Sequence, residues 1–439
     1  MGVALHRRVR VVVAGATALL LGLSGCAGSG GSDSSGERET GKVEGKLRVV
    51  TNWTGGEGEA FAAVIDGFKA KHPTVEVQIE QVPFAQGEAL LTQQFAQGSP
   101  PDVAVALPGM IRAFSQQGLL LNLDQMWDRW IADGQYTPTL REVAAGAEGR
   151  TEAVYFKGNI NALIWYNPAQ LAKLGVSVPK TWAEFTAVLD KAKAAGLAPF
   201  AVGGKDTWPL TQWTDPVILR VAGPDAFNDL ARGKIGWDDP RIVKSFEVLA
   251  DMIGKYFPDN ALSAGFIDST CGRVQGKFLF ENQGAFINLV DPAECDKSLE
   301  PGKDLAFFLM PPYDNTVPPA QFVSGDLFVG AKDTKNLPAT RALLEYLGSV
   351  DAQTIWAKRG GYVAPNTKVP TSVYPDVNDQ QAATLWPKDS SVKAGYDLDD
   401  WIGGEIQVKY RQALSEFVRD QDVDGFISTM KRVDDGSRN

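Results

Sequence analysis

The segment LRVVTNWTGGEGEAFAAVIDGFKAKHP, residues 47–73, decides the fold class of this chain. Residues 47–51 are mostly apolar or β-branched and predict a strand. Apolar residues then recur at spacings i, i+3, i+4 and i+7 from Phe61 to Phe68, which is the pattern of an amphipathic helix. Pro73 ends this helix, because proline cannot continue the helical hydrogen bonds. The segment is therefore a strand followed by a helix, the opening of a β-α-β unit.

The same alternation continues along the chain. Residues 75–79, VEVQI, alternate between apolar and polar and predict a second strand. A helix is predicted over residues 86–96, and the run DVAVAL at residues 102–107 is typical of a buried parallel strand. Strands that alternate with helices form a parallel sheet covered by helices, so the chain is predicted to be an α/β protein.

Helices are also predicted in the later part of the chain. Residues 181–184, TWAE, form a capping box that begins a helix, and Pro338 lies near the start of another. Residues 404–433 predict two further helices. The folded part of roughly 390 residues exceeds the usual size of one domain, so we expect two α/β domains.

The N-terminus has the features of an export signal. Three arginines precede an apolar run over residues 11–23, which is too short to span a bilayer. The run ends in LSGC, which is similar to a bacterial lipobox, so residues 1–25 are predicted to be a lipoprotein signal peptide and Cys26 the lipidated residue. The alternative is an ordinary secretory signal with an incidental cysteine. Residues 26–45 are rich in Gly, Ser and charge and predict a flexible tether.

Two cysteines remain, Cys271 and Cys295. An exported protein folds in an oxidising compartment, where an even pair can form a disulfide. The alternative is two buried thiols.

The charge distribution bears on the class of partner. The chain has 43 Lys and Arg against 53 Asp and Glu, a formal net charge of -10. It has no run of basic residues, so nucleic-acid binding is not expected.

Motifs for catalysis, cofactors and metals are missing from the sequence. The only histidine after the predicted signal peptide is His72, and no nucleophile motif, zinc spacing or phosphate-binding loop accompanies it. Residues 420–425 match the start of a Ca²⁺ loop, but its twelfth position is Lys431, which would repel the cation. No cofactor, metal or catalytic residue is therefore expected, although a carboxylate pair of the glycosidase type stays open as an alternative.

Eight stretches of the chain resemble a known family. Three of them, residues 47–73, PPDVAVALPG at 100–109 and residues 178–204, resemble the family 1 extracellular solute-binding proteins of ABC importers. The other five resemble its α-glucoside-binding branch: residues 160–182, WPLTQWTDPVILRVAGPDAF at 208–227, FFLMPPYD at 307–314, SGDLFVGAKD at 324–333 and WAKRGGYVAPN at 356–366. The resemblance extends over about residues 46–431.

The resemblance implies a two-lobed α/β fold of the periplasmic-binding-protein type (type II). Its lobes are discontinuous and are joined by a hinge of crossing strands, with the ligand in the cleft between them. The crossings would fall at residues 156–159, 322–326 and 364–366. Lobe 1 would then comprise residues 46–157 and 325–365, and lobe 2 residues 158–324 and 366–439.

A sugar presents C–H bonds on its ring faces and hydroxyls at its edge, so aromatic rings together with polar side chains suit it. The segment KDTWPLTQWTD at residues 205–215 has this composition. Pro209 suits the first turn of a helix, which leaves Trp208 at the entrance, whereas Trp213 lies about 140° around the helix and can be buried instead. The candidate ligand-binding residues are Trp53, Glu57, Glu59, Lys157, Asn159, Trp208, Trp213, Asp215, Asp326, Arg359 and Trp401.

Several candidates also have a structural alternative. Glu57 and Glu59 open a helix and can instead interact with its dipole. Asp326 lies at the second crossing and can instead bond to its own backbone in a turn. Arg359 ends a helix, and Trp401, beside Asp399 and Asp400, can instead anchor a loop.

The sequence therefore predicts a lipid-anchored, monomeric solute-binding protein on the outer face of the cell membrane. It would bind a di- or oligosaccharide, an α-glucoside first, and deliver it to the permease of an ABC importer by hinge closure. The alternatives are a surface carbohydrate-active enzyme and a binding protein for a non-sugar such as a polyol phosphate.

Overall fold

The computed structural model describes residues 41–318, 320–387 and 393–437. The predicted signal peptide, Cys26 and residues 26–40 of the predicted tether lie outside these ranges. The first strand begins at Gly45, one residue before the predicted start of the folded part. No helix in the described ranges is long and apolar enough to cross a membrane.

The described residues contain strands that the sequence predicts and strands that it does not. The strands are β1 (Gly45–Thr51), β2 (Val75–Gln81), β3 (Val103–Ala106), β4 (Ala153–Asn161), β5 (Leu163–Tyr166), β6 (Ala198–Phe200), β7 (Phe278–Gln283), β8 (Ala306–Leu309), β9 (Gln321–Gly330) and β10 (Ala394–Tyr396). The predicted strands at 47–51, 75–79 and 102–107 correspond to β1, β2 and β3.

The helices include those predicted after β1, near residues 86–96, from Thr181, near Pro338 and over residues 404–433, together with others that were not predicted. They are α1 (Gly55–Lys71), α2 (Phe84–Ala96), α3 (Pro108–Gln116), α4 (Asp124–Ala132), α5 (Pro138–Val143), α6 (Pro168–Lys173), α7 (Trp182–Ala194), α8 (Trp208–Ala231), α9 (Pro240–Tyr256), α10 (Phe266–Val274), α11 (Ile287–Val290), α12 (Leu337–Leu347), α13 (Val350–Ala357), α14 (Val377–Leu385), α15 (Leu398–Ile402), α16 (Gly404–Asp420) and α17 (Val423–Ser437). Thr181 caps α7 by accepting a hydrogen bond from the Glu184 backbone N–H at 3.2 Å.

The first sheet has six strands in the order β10-β9-β3-β1-β2, with β4 also paired to β9. β1 is parallel to both β2 and β3, which confirms the parallel β-α-β arrangement expected from residues 47–107. β9 runs antiparallel to β3 and to β4. A strand made late in the chain therefore completes a sheet that the N-terminal segment begins.

The second sheet has four strands in the order β6-β7-β5-β8. β5 is antiparallel to β7 and β8, and β6 is parallel to β7. The buried apolar side chains form two cores. The first core is rich in aromatic rings, including Trp53, Phe61 and Trp356, and the second is centred on side chains such as Phe185 and Trp213.

The segments predicted to cross between lobes pair with one another. Lys157, Gly158 and Asn159 of β4 lie opposite Asp326, Gly325 and Ser324 of β9. The Gly158 backbone N–H donates to the Val363 carbonyl at 2.8 Å, next to the third predicted crossing. The lobe boundaries stay a prediction. Val369, Tyr374 and Trp386 fall in the range predicted for lobe 2, but their side chains pack in the first core.

A disulfide joins Cys271 on α10 to Cys295 at the end of a π-helical turn. Their Cα atoms are 5.1 Å apart. The bond ties together two segments that both contribute to the cleft described next.

Candidate functional site

A cleft of about 410 Å³ lies between the residues of the two cores. Its lining comes from the end of β1, the paired strands β4 and β9, the starts of α8 and α10, the α11 region, and residues 397–400. Seven separate parts of the chain therefore meet at one cavity, next to the crossing strands.

The floor of the cleft is formed by β4 and β9. Alternate residues of a strand point to the same face, so Lys157, Asn159 and Asn161 all line the cavity. The Lys157 Nζ lies 2.5 Å from Glu57 Oε1 and 3.7 Å from Asp326 Oδ2. Burial opposes the charge of Lys157, but the two carboxylates outweigh it and raise its pKa above the ordinary value. The ammonium group therefore stays charged and holds both carboxylates in place.

Trp53 contributes an N–H group to the cleft but no ring face. Its Nε1 donates to Asp326 Oδ2 at 3.0 Å. The ring itself is only 2% exposed and packs against Phe61 and Trp356, at centroid distances of 5.2 and 4.8 Å. Trp53 is thus a core residue that also orients Asp326.

One wall of the cleft is aromatic. Trp208 is half-buried at the first position of α8, with Pro209 behind it as the sequence predicts. The Trp208 ring lies 4.9 Å from the ring of Phe266 and 6.3 Å from that of Phe286. The two phenylalanines are 6.0 Å apart. These three rings, which we call the aromatic wall, offer a face to a ligand.

An acidic corner, defined as Gln212, Asp397, Asp399, Asp400 and Arg411, forms another part of the lining. Arg411 on α16 holds Asp399 through both of its carboxylate oxygens, with Nε at 3.0 and 2.9 Å. Asp397 Oδ2 accepts from Gln212 Nε2 at 3.1 Å. One oxygen from each of Asp397, Asp399 and Asp400 lies within 4.8 Å of the others.

Crowding and burial shift the acidities in this corner. Burial raises the pKa of Asp397 to about 7, and the neighbouring Asp399 carboxylate adds to the rise. Burial, and then the charges of Asp397 and Asp399, raise the pKa of Asp400 well above its ordinary value. Burial also raises the pKa of Asp399, although Arg411 acts in the opposite direction. The corner therefore holds protons at a pH where ordinary carboxylates have lost them.

Six of the eleven predicted ligand-binding residues line the cleft: Trp53, Glu57, Lys157, Asn159, Trp208 and Asp326. The remaining five lie elsewhere. Trp213 is buried in the second core, with its ring 4.2 Å from that of Phe200, because five residues of helix turn it away from Trp208. Asp215 is fully buried behind the acidic corner, where it accepts from the Leu398 backbone N–H at 3.1 Å and the Tyr410 hydroxyl at 2.6 Å.

The other three residues also lie outside the lining of the cleft. Glu59 is exposed on α1, because it lies two residues, and so about half a turn, beyond Glu57. Arg359 is exposed just after α13 and is not among the lining residues. Trp401 packs below the guanidinium of Arg112, 4.7 Å from its Cζ, outside the cleft.

Several lining residues were not predicted from the sequence. They are Phe266, Phe286, Asn161, Gln212, Asp206, Asp397 and Arg411 among others. Period-two alternation from Lys157 and Asn159 would have found Asn161. The two phenylalanines carry no local signal, since only tertiary packing brings them to Trp208.

Residues of the two sides of the cleft touch at its rims. On one side, Gly55 and Gly56 of α1 lie against Glu294 and Ala293. On another, Gly109 of α3 packs directly on Gly403, which precedes α16. A Cβ atom at Gly109 would collide with the Gly403 backbone, so this approach requires glycine. The two sides of the cleft are therefore in direct contact beside the cavity.

A family model described as bacterial extracellular solute-binding protein matches residues 52–354. The alpha-glucosides-binding periplasmic protein AglE of Rhizobium meliloti is 27% identical over 381 residues, covering 82% of this chain and 80% of that protein. The osmoprotective compounds-binding protein GgtB of Synechocystis sp. is 25% identical over 351 residues, 76% of this chain and 80% of that protein.

Solved structures share the fold. The solute receptor AcbH, reported to prefer β-D-galactopyranose exclusively, superposes with a TM-score of 0.78 at 21% identity, over 90% of this chain and 98% of that one. The GacH receptor of Streptomyces glaucescens GLA.O, solved unliganded and with acarbose, gives a TM-score of 0.72 at 21% identity, over 89% and 98%. These likenesses confirm the two-lobed α/β fold. Because the family model spans more than half of the sequence, the chain belongs to the bacterial extracellular solute-binding protein family.

Proposed function

We propose that this protein is the substrate-binding component of an ABC importer and captures a di- or oligosaccharide, an α-glucoside first, in the cleft. The observation that carries the proposal is the pairing of the aromatic wall with a lining of amides and carboxylates. An aromatic ring covers the apolar face of a sugar, and the polar side chains bond to its hydroxyls. The relative named as an alpha-glucosides-binding protein favours the same class of ligand.

The cavity has a suitable size and charge for this role. Its volume of about 410 Å³ lies in the usual range for small-molecule sites. Both lining cations, Lys157 and Arg411, are already bonded to carboxylates. A phosphate-bearing ligand would therefore meet a surplus of negative charge, which disfavours the polyol phosphate alternative.

The proposed mechanism is closure of the lobes around the ligand. The glycine contacts at the rims belong to the closed form, and the paired strands β4 and β9 provide the crossing about which the lobes can move. A ligand that touches both sides shifts the equilibrium toward this form. The closed receptor then delivers its ligand to the permease, and lipidation of Cys26 keeps it at the outer face of the membrane.

A thermal-shift screen of residues 41–439 against trehalose, maltose, sucrose, maltotriose, cellobiose and a glycerophosphodiester tests the function. A ligand at 100 times its Kd should add about 2.7 kcal/mol to the stability of the folded protein. We expect a shift with one or two α-glucosides and no breakdown of the sugar. Product formation would point instead to an enzyme, and a shift with the phosphodiester alone would point to a non-sugar ligand.

The substitution Trp208→Ala is expected to weaken binding of the best sugar at least tenfold, equivalent to about 1.4 kcal/mol. The aromatic wall would lose its tryptophan ring, which contacts both Phe266 and Phe286. Isothermal titration calorimetry measures the change. Trp182→Ala is the matched control, because Trp182 is also half-buried in an aromatic cluster but lies outside the cleft. Equal affinities of wild type and W208A would remove Trp208 from the site.

The substitution Gly109→Ala is expected to weaken binding by tenfold or more without loss of fold. Its methyl group would collide with the Gly403 backbone and so raise the free energy of the closed form alone. Small-angle scattering with saturating sugar should then give a larger radius of gyration than the wild type. Gly254→Ala is the control, since a Cβ there meets nothing within 4 Å. Unchanged affinity in G109A would mean that the glycine contact does not limit closure.

A further inference from the structure

The cleft carries far more negative than positive side chains. Among the described residues, its lining includes seven carboxylates but two cations, Lys157 and Arg411. Lys157 is bonded to Glu57 and lies near Asp326, and Arg411 is bonded to Asp399. Both lining cations are therefore paired with carboxylates other than Asp397 and Asp400.

Asp397 and Asp400 have no cation within ion-pair distance in the described part of the chain. Asp397 is 2% exposed and is bonded to amides, namely Asn161 Nδ2 at 3.3 Å and Gln212 Nε2 at 3.1 Å. Its Oδ1 accepts from the Asp400 backbone N–H at 3.4 Å. Neutral donors satisfy the hydrogen bonds of Asp397 but supply no positive charge to Asp397 or Asp400.

The side-chain oxygen of Gln212 is a further hydrogen-bond acceptor beside Asp397. Gln212 is 6% exposed, and its Oε1 is buried without a hydrogen-bond donor among the described residues. The Nε2 of the same amide is bonded to Asp397, so Oε1 lies beside the carboxylates. A buried acceptor that lacks a donor costs free energy, so this oxygen favours a ligand that donates to it.

The corner thus offers oxygen acceptors and two carboxyl groups with no paired cation among the described residues. Burial keeps protons on Asp397 and Asp400 while the corner is empty, and a bound cation would displace those protons. A neutral hydroxyl can donate to one of these oxygens but supplies no positive charge that would let the two carboxyl groups ionise. A divalent cation would have to share Asp399 with Arg411, which already occupies both of its carboxylate oxygens and would repel the metal. An ammonium group donates three hydrogen bonds, accepts none and carries one positive charge.

We propose that Asp397, Asp400 and Gln212 form a subsite for a protonated nitrogen, so that the natural ligand is a saccharide bearing a basic amine. This inference rests on the proposed saccharide function and narrows its ligand class. In the bound state the ammonium group donates to the two carboxylates and to Gln212 Oε1. The aromatic wall covers the ring face of the same ligand.

The test compares trehalose and maltose with their analogues in which one hydroxyl is replaced by an amine, by calorimetry at pH 6.5. We expect at least one amino sugar to bind tenfold or more tightly than its neutral parent. N-acetylation of that amine, which removes the charge, should abolish the gain. Asp400→Asn should reduce affinity for the amino sugar at least tenfold more than affinity for the neutral sugar, and Asp397→Asn should do the same.

Controls separate this inference from the proposed function. Asp268→Asn removes an exposed carboxylate outside the lining and should leave the preference unchanged. Neutral sugars that bind as tightly as every amino sugar would overturn the subsite and leave the saccharide function intact. Binding of a simple alkylamine, abolished by D400N and with no saccharide bound, would overturn the saccharide function instead. Tight Ca²⁺ binding that D400N abolishes, without any amine preference, would also overturn the proposal.

Discussion

Replacing Arg273 by methionine is expected to lower the free energy of unfolding by about 3–5 kcal/mol. Arg273 is 2% exposed, and its Nε lies 2.9 Å from Glu281 Oε2. Its Nη2 is bonded to Asp291, which is fully buried. Methionine fills a similar space but leaves two carboxylates without a cation in the interior. Urea denaturation of the two proteins measures the difference.

The same variant should acquire a new pH dependence. Burial already raises the pKa of Asp291 to about 6 in the wild type, while Arg273 works against the rise. Because the folded-state pKa of Asp291 lies above its unfolded-state value, the free energy of unfolding falls as the pH rises from the unfolded-state pKa to the folded-state pKa. Without the guanidinium the folded-state pKa rises further, so R273M should lose more stability between pH 6 and pH 8 than the wild type.

The matched control for this prediction is Lys255→Met. Lys255 also pairs with a carboxylate, Asp251 at 2.8 Å, but both side chains are more than half exposed. Exposed pairs of this kind contribute about 0.3–0.5 kcal/mol. If R273M and K255M lowered the free energy of unfolding equally, the buried ion pair would not be a major source of stability.

Replacing Lys157 by methionine is expected to abolish saccharide binding and to cost roughly 3 kcal/mol or more of stability. Lys157 is 5% exposed and holds Glu57 and Asp326 together across the floor of the cleft. Without its charge the two carboxylates would repel each other, and the positions that bond to sugar hydroxyls would change. Calorimetric titration and urea denaturation give the two readouts.

A double variant separates charge from packing. In Lys157→Met combined with Glu57→Gln, one carboxylate charge is removed along with the ammonium, so part of the lost stability should return. Lys157→Arg keeps the charge and should be less damaging than K157M. Stability of the double variant equal to the sum of the two single losses would show that Lys157 and Glu57 act independently.

The sequence predicts local elements of the fold well. Alternation and helical spacing locate β1, α1, β2 and the start of α7, because these patterns depend on residues close in the chain. The position of β9 in the first sheet has no such signal, since its partners in β3 and β4 are far away in sequence. The crossings were expected from the family resemblance, not from periodicity.

Some residues of the candidate site also carry a signal in the sequence, and others do not. Trp208 could be predicted because a proline follows it at a helix start, and Lys157 and Asp326 because they flank expected crossings. Phe266 and Gln212 could not, since their role depends on which helix faces the cavity. Asp215 is close to the candidate site in sequence but lies outside the lining of the cleft, where it supports the acidic corner from behind.

The sheet order has a consequence for biosynthesis. β9 pairs with β3, yet roughly 200 residues separate them, which a ribosome takes about 10–40 s to add at 5–20 residues/s. During that time β3 lacks the neighbour that it has in the finished sheet. The N-terminal half therefore cannot reach its native fold on its own. A chain that stays incompletely folded for this long is open to an export machinery that threads extended polypeptides, and the late strand completes the receptor only after most of it has been made.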